Sequence, residues 1–306
     1  MKNEALQNKL AELIKLAKES GVDISDETNR LENRITEATQ TDIAWKHVVL
    51  ARHPERPYSL DYISRVFDDF TELHGDRAFG DDPAIVGGLA FLDGLPVTII
   101  AHQKGRTIEE VVERNGGMAN PEGYRKALRL ARQAEKFGRP IITFVDTPGA
   151  YPGLGAEERG IGESIARNLR DFSRLKTPIV CIIIGEGGSG GALGICVGDK
   201  VYALENSIYS VISPEGCASI LLRDSSRAKD AAAMLRISSG DLMEFKVIDG
   251  IISEPSGGAH TDPDAAALAI KKTLIKDIPE LMKRGADELI RGRNMKFRAM
   301  GHFTKL

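Results

Sequence analysis

The sequence is short of the residues that staple or anchor a chain. Three cysteines, Cys181, Cys196 and Cys217, are scattered over 306 residues, too few and too widely spaced for a disulfide framework or a zinc ribbon. Cys181 and Cys196 sit in apolar runs, where a free thiol behaves as a small buried hydrophobe. No apolar run reaches the ~18 residues of a membrane span. The opening "MKNEALQNKLAELIKLAKES" is charged throughout, which excludes a signal peptide reading. Neither sign of charge dominates, with 41 Lys and Arg against 44 Asp and Glu, so composition indicates neither nucleic acid nor a membrane as partner. A cytoplasmic chain is expected.

What remains is ordinary globular material, 42% hydrophobic and 28% charged. A chain of this length buries roughly 75% of its extended surface without staples. Residues 1–53 read as a helical arm. Leu6, Leu10, Leu13 and Ala17 share one helix face, Gly21 is a stop, and Asp26 and Glu27 open a second helix. The two prolines of "RHPERPY" make a linker into residues 54–306.

Three later stretches share one plan: "LPVTIIAHQKGR" (95–106), "RPIITFVDTPGAYPG" (139–153) and "TPIVCIIIGEGGSGG" (177–191). Each runs from a proline through β-branched residues to a Gly-rich loop, as strands buried on both faces of a parallel sheet would. Asp93-Gly94 signals a hairpin, so the expected unit is strand–turn–strand–loop–helix, repeated. Asn120 and Pro121 open one helix, which Gly138 stops. "AEERGIGESIARNLRDFSRL" reads as a second helix. The C-terminal stretch reads as one long helix, opened by Asp262 and Pro263 and interrupted at Pro279, followed by a basic tail that reads as solvated or interface-facing, with anion binding as the alternative.

"GEGGSGGA" (185–192) fits two side-chain motifs, each of them incompletely. Gly185, Gly187 and Gly190 spell G-x-G-x-x-G, but the stretch up to "VGDK" leaves barely two turns where a dinucleotide fold needs a full crossover helix. Gly187, Ser189 and Gly191 spell the nucleophile elbow, yet only His260 and His302 follow, in a loop and in the tail. A third reading uses the backbone: glycines at a strand-to-helix turn present free N–H groups to an oxygen that becomes negative. "DTPGAYPG" stands at the matching end of the neighbouring strand, so two Gly-rich loops would face one another.

Together these loops, with "FTELHGDRAFGDDPAIVGGLA", "HQKGR", "PEGYRKALRLA" and "YSVISPEGCASIL", resemble the alpha subunits of bacterial acetyl-CoA carboxylase carboxyltransferase. The family pattern carries an aromatic in place of Gly116, so the packing there is expected to differ from the family's. The resemblance implies an α/β fold of the crotonase-like (ClpP/crotonase) class, a spiral of repeated ββα units with an N-terminal helical arm and C-terminal helices. It implies transfer of a carboxyl group from N-carboxybiotin, held on the biotin carboxyl carrier protein, to acetyl-CoA, giving malonyl-CoA for fatty-acid synthesis. Such chemistry needs two negative oxygens stabilised and no protein nucleophile. The implied partners are a beta subunit in an alpha2beta2 heterotetramer, and biotin carboxylase. No cofactor is expected to be covalently bound to this chain, and zinc is expected only on the beta subunit.

Carried over position by position, Gly190 and Gly191 are the expected backbone donors, with Gly149, Ala150, Tyr151, Gly187 and Gly188 lining the substrate site. Glu186 shapes the pocket or packs behind it. Lys104, Arg106, Arg125, Lys126 and Arg129 read as a solvated face, with phosphate or an acidic partner as the alternative. A serine esterase acting through Ser189 and a non-catalytic assembly subunit of the same fold both stay open.

Overall fold

The computed structural model describes residues 2–20 and 23–301. Helices α1 (Lys2–Ser20), α2 (Ser25–Ala51) and α3 (Ser59–Val66) lead into strands β1 (Asp68–Glu72), β2 (Ile85–Leu92) and β3 (Leu95–His102). Then come α4 (Ile108–Glu113), α5 (Pro121–Lys136), β4 (Ile141–Thr147), α6 (Leu154–Glu158), α7 (Ile161–Phe172), β5 (Ile179–Gly188) and α8 (Ser189–Leu193). The chain continues through β6 (Lys200–Leu204), β7 (Ile208–Ser210), α9 (Pro214–Cys217), α10 (Ala228–Leu235) and α11 (Ser239–Glu244). It closes with β8 (Gly250–Ile252), α12 (Pro263–Met282) and α13 (Ala286–Arg298). The expected stop at Gly21 lies outside the described residues.

The chain forms two compact units: residues up to Lys46 together with Pro214–Arg236, and His47–Ser213 together with the chain from Ile237 onward. The first is helical. The second holds a mixed sheet in the order β1-β2-β3-β4-β5-β6-β8, with β7 paired to the far end of β5. β1, β2 and β3 are antiparallel, and the pairs from β3 to β8 are parallel.

The apolar runs make this sheet a central layer. Along β5, Ile179, Cys181 and Ile183 enter one core, and Val180, Ile182 and Ile184 enter the other. Side chains alternate across a strand, so a continuous run needs cover on both faces. α5 and α7 contribute Tyr124, Leu128, Ile161 and Phe172 to the first core. α3 and α12 contribute Tyr62, Ile63, Ile270 and Leu274 to the second.

Four expectations need correction. The hairpin occurs once, at Asp93 (φ 51°) and Gly94 (φ 80°); β4 and β5 are each entered singly from a helix. The second helix breaks into α6 and α7 because Gly160 takes φ 81°. The C-terminal helix passes Pro279 and ends at Met282, before Gly285 caps α13. Pro279 removes the helical donor to the Ile275 carbonyl, and Ile275 is on the exposed side. The basic tail is partly core: Arg293 is 1% exposed and bonds the carbonyls of Phe172, Leu175 and Thr177 and both oxygens of Asp199. Gly116 is sound as a glycine, with φ 59° and open space around its Cα.

Candidate active site

The sheet delivers both Gly-rich loops to one place. β4 and β5 are parallel neighbours, with Thr147 opposite Gly187, and on the other side Gly187 pairs with Tyr209 of β7. β5 runs without a loop into α8. A Cβ on Gly188 would collide with the Pro148 carbonyl, and one on Gly191 would lie 2.5 Å from the Ala150 nitrogen. The two loops therefore touch backbone to backbone, and side chains at these positions would part them. Gly187 is closed in by the Tyr209 ring, 2.7 Å from where a Cβ would stand.

Gly190 is different. Its φ is not positive, and a Cβ there would meet Ile165 at an ordinary 3.8 Å. The strained residue at this turn is Ser189, with φ 48°.

The first residues of a helix have N–H groups without intrahelical acceptors, so α8 offers the amides of Ser189, Gly190 and Gly191. In the facing loop the Gly149 amide bonds Thr147 Oγ1 at 3.1 Å, and the Tyr151 amide bonds the Ala119 carbonyl at 3.0 Å. Between them, the Ala150 amide has no protein acceptor among the described residues. Ala150 is thus a candidate donor where sequence reasoning assigned only a lining role. Local sequence carries no signal for it, because the Tyr151 amide is tied down by Ala119, far away in the chain.

A cavity of about 330 Å³ opens beside this turn. Ser189, Gly190, Leu193, Tyr209, Val211 and Phe297 are among its walls, and no Asp, Glu, His, Lys or Arg lines it. Among the described residues no group of three or more His, Cys, Asp and Glu could hold a metal ion.

Behind the turn lies a buried ion network that sequence reasoning missed. Lys104 Nζ sits 2.8 Å from Asp146 and 2.9 Å from Glu186, and Arg52 Nε sits 2.6 Å from the same Glu186. The Glu186 amide bonds Asp146 Oδ1 at 2.9 Å. Burial opposes the charges of Lys104 and Glu186, but the partners prevail, holding Lys104 above its ordinary range and Glu186 below. Lys104 and Lys126 therefore do not belong to a solvated face. Lys126 is fully buried, 2.5 Å from Asp81, while Arg106 pairs with Asp61 and Arg125 with Asp76. Tyr151 is half-buried and closes over Gly153.

The side-chain motifs fail on geometry. α8 is five residues long and leads to β6 without a crossover helix, so no dinucleotide unit exists here. Ser189 makes no hydrogen bond to a histidine among the described residues. His260 stacks on His53 at 3.8 Å, and His302 lies outside the described residues. His102 is fully buried; burial first, and Lys104 second, push its pKa down to about 3.

The architecture is that of crotonase-like carboxyltransferases and decarboxylases. Transcarboxylase 12S matches 70% of this chain and 41% of its own (TM-score 0.55, 24% identity). A Pseudomonas malonate decarboxylase hetero-tetramer in complex with coenzyme A matches 70% and 86% (TM-score 0.57, 19% identity). The beta subunit of Pseudomonas aeruginosa geranyl-CoA carboxylase matches 78% and 44% (TM-score 0.57, 16% identity). At these identities the likeness is one of fold.

Sequence narrows it further. Residues 2–301 match the family described as acetyl co-enzyme A carboxylase carboxyltransferase-like, and the chain belongs to that family. The acetyl-coenzyme A carboxylase carboxyl transferase subunit alpha of Treponema denticola is 63% identical over 305 residues, covering all of both chains. Its Fusobacterium nucleatum counterpart is 56% identical over 312 residues, covering 99% of this chain and 98% of its own.

Proposed function

We propose that this chain is the alpha half of an acetyl-CoA carboxyltransferase. With a beta subunit it transfers the carboxyl group of N-carboxybiotin, presented by the biotin carboxyl carrier protein, to acetyl-CoA, giving malonyl-CoA. The observation that carries this reading is the α8 turn, which packs backbone to backbone on the Ala150 loop and, through Ser189 and Gly190, lines an apolar cavity.

The residues present fit the biotin side of such a reaction. Leu193, Val211 and Phe297 suit an apolar ring system, and the α8 amides suit a polar oxygen at its edge. When bound, carboxybiotin supplies an activated carboxyl group. Gly190, Gly191 and Ala150 hold an oxygen as it gains negative charge, the arrangement that usually contributes most to such catalysis. The apolar wall excludes water, which strengthens those hydrogen bonds. With no carboxylate, histidine or lysine in the lining, the acetyl methyl proton leaves to a group that this wall does not supply. The acetyl-CoA side, and the zinc ribbon, fall to the beta subunit in an alpha2beta2 assembly in the cytoplasm. Among the described residues no helix is long and apolar enough to cross a membrane.

Reconstitution tests this. The purified chain alone should form no malonyl-CoA from carboxybiotin and acetyl-CoA, and adding the beta subunit should start turnover. Robust turnover by this chain alone would contradict the split site.

A further inference from the structure

A second cavity, of about 370 Å³, shares no lining residue with the one beside α8. It lies among α5, α7 and the 76–78 loop, and five arginines line it: Arg77, Arg125, Arg129, Arg132 and Arg167. Three of them have carboxylates at hand. Arg125 pairs with Asp76 at 2.7 Å, Arg132 with Asp171 at 2.5 Å, and Arg167 with Glu163 at 3.8 Å.

The other two do not. Arg77 Nη1 donates to the His74 carbonyl at 2.9 Å, and Arg129 Nη2 donates to that same oxygen at 3.2 Å. Arg129 Nε bonds the Gly75 carbonyl at 2.9 Å. Among the described residues neither guanidinium has a carboxylate within ion-pair distance. Two cations thus converge on one neutral oxygen. The crowding registers in Arg129, whose pKa is lowered by burial and then by Arg77, more than Asp81 and Asp76 restore.

The fold maintains this convergence against local cost. Asp76 Oδ1 accepts the amides of Ala78, Phe79 and Gly80 at 2.8, 2.8 and 3.0 Å. That turn holds Arg77 at φ 65°, a conformation that L-residues avoid.

We propose that this cavity binds the phosphate group of a small molecule, with Arg77 and Arg129 as the charge-matching pair. Two unpaired guanidiniums match a dianion, whereas a carboxylate would neutralise one. Arginine forks also suit tetrahedral phosphate oxygens in bidentate contact. A cavity of this size takes a small ligand.

Calorimetric titration of the full chain with inorganic phosphate, pyrophosphate and ADP, at ionic strength held constant with sodium chloride, tests the site. Saturable binding is expected, weakened at least tenfold by Arg77→Gln and by Arg129→Gln. Tighter binding of ADP than of pyrophosphate would identify a nucleotide as the source, and equal binding a bare phosphate group; either supports the site. If Arg129→Gln fails to fold, exposed Arg77 still decides the matter. The absence of saturable binding for all three probes, or binding unchanged in Arg77→Gln, would overturn the proposal.

Discussion

A Cβ on Gly191 would stand 2.5 Å from the backbone nitrogen of Ala150. That approach brings the start of α8 and the loop after β4 into one amide-lined turn. The tight position is thus Gly191, with Gly188 beside it, rather than Gly190, whose Cβ would have room. Gly190→Ala should keep the turn and most of the activity of the reconstituted enzyme, as steady-state malonyl-CoA formation would show. A Gly190→Ala protein as damaged as Gly188→Ala would mean that the crowding is elsewhere.

Arg293 should behave as a core residue. Its guanidinium bonds three carbonyls and both Asp199 oxygens, a set that only the planar five-donor fork can make. Truncation leaves buried acceptors and Asp199 unpaired, so Arg293→Ala should cost about 3–5 kcal/mol in urea denaturation. Arg293→Lys should recover only a small part of this. A change below ~1 kcal/mol would place α13 outside the cooperative unit.

This burial also marks where sequence reading stopped. Asp93-Gly94 and Asn120-Pro121 were legible because each acts within a few residues, through turn geometry or a helix start. The apolar runs were legible because double-sided burial leaves no polar alternation. Arg293, in contrast, reads as one more charge in "RGRNMKF", and its partners lie 94 to 121 positions away. Lys104, Asp146 and Glu186 hid for the same reason. The glycines of the site were legible as a motif, but which of them is crowded depends on the facing loop.

His102 should give the fold an acid-sensitive step. Its pKa is pushed down to about 3 in the folded chain, against about 6.5 when unfolded. The unfolded chain alone takes up the proton between these values, so stability is complete above pH ~6.5 and falls as pH drops. The slope from this group approaches about 1.4 kcal/mol per pH unit. Urea midpoints from pH 7.5 to 4.5 would show it, and His102→Gln should flatten the curve. An unchanged slope would mean that other groups carry it.

Breaking the ion network should be costly. Lys104→Met leaves Asp146 and Glu186 buried without their shared cation, a loss of about 3–5 kcal/mol. Glu186 is held below its ordinary pKa, so its own contribution is complete above the usual glutamate range. It fades as pH falls through the lower folded value. Thermal melts of Lys104→Met and of the double variant Lys104→Met/Glu186→Gln check this: the double variant should be the more stable. Equal stability would show that the pairing is not what holds the region.

The claim that the site works through backbone amides and not through a serine is tested most directly by two substitutions in the reconstituted enzyme. Ser189→Ala leaves every amide of α8 in place, so carboxyl transfer should stay within a few-fold of the parent. Gly191→Ala drives the Ala150 loop away and misplaces donors on both sides, so the rate should fall by about 10²–10³, with circular dichroism showing both proteins folded. An inactive Ser189→Ala beside an active Gly191→Ala would contradict the account.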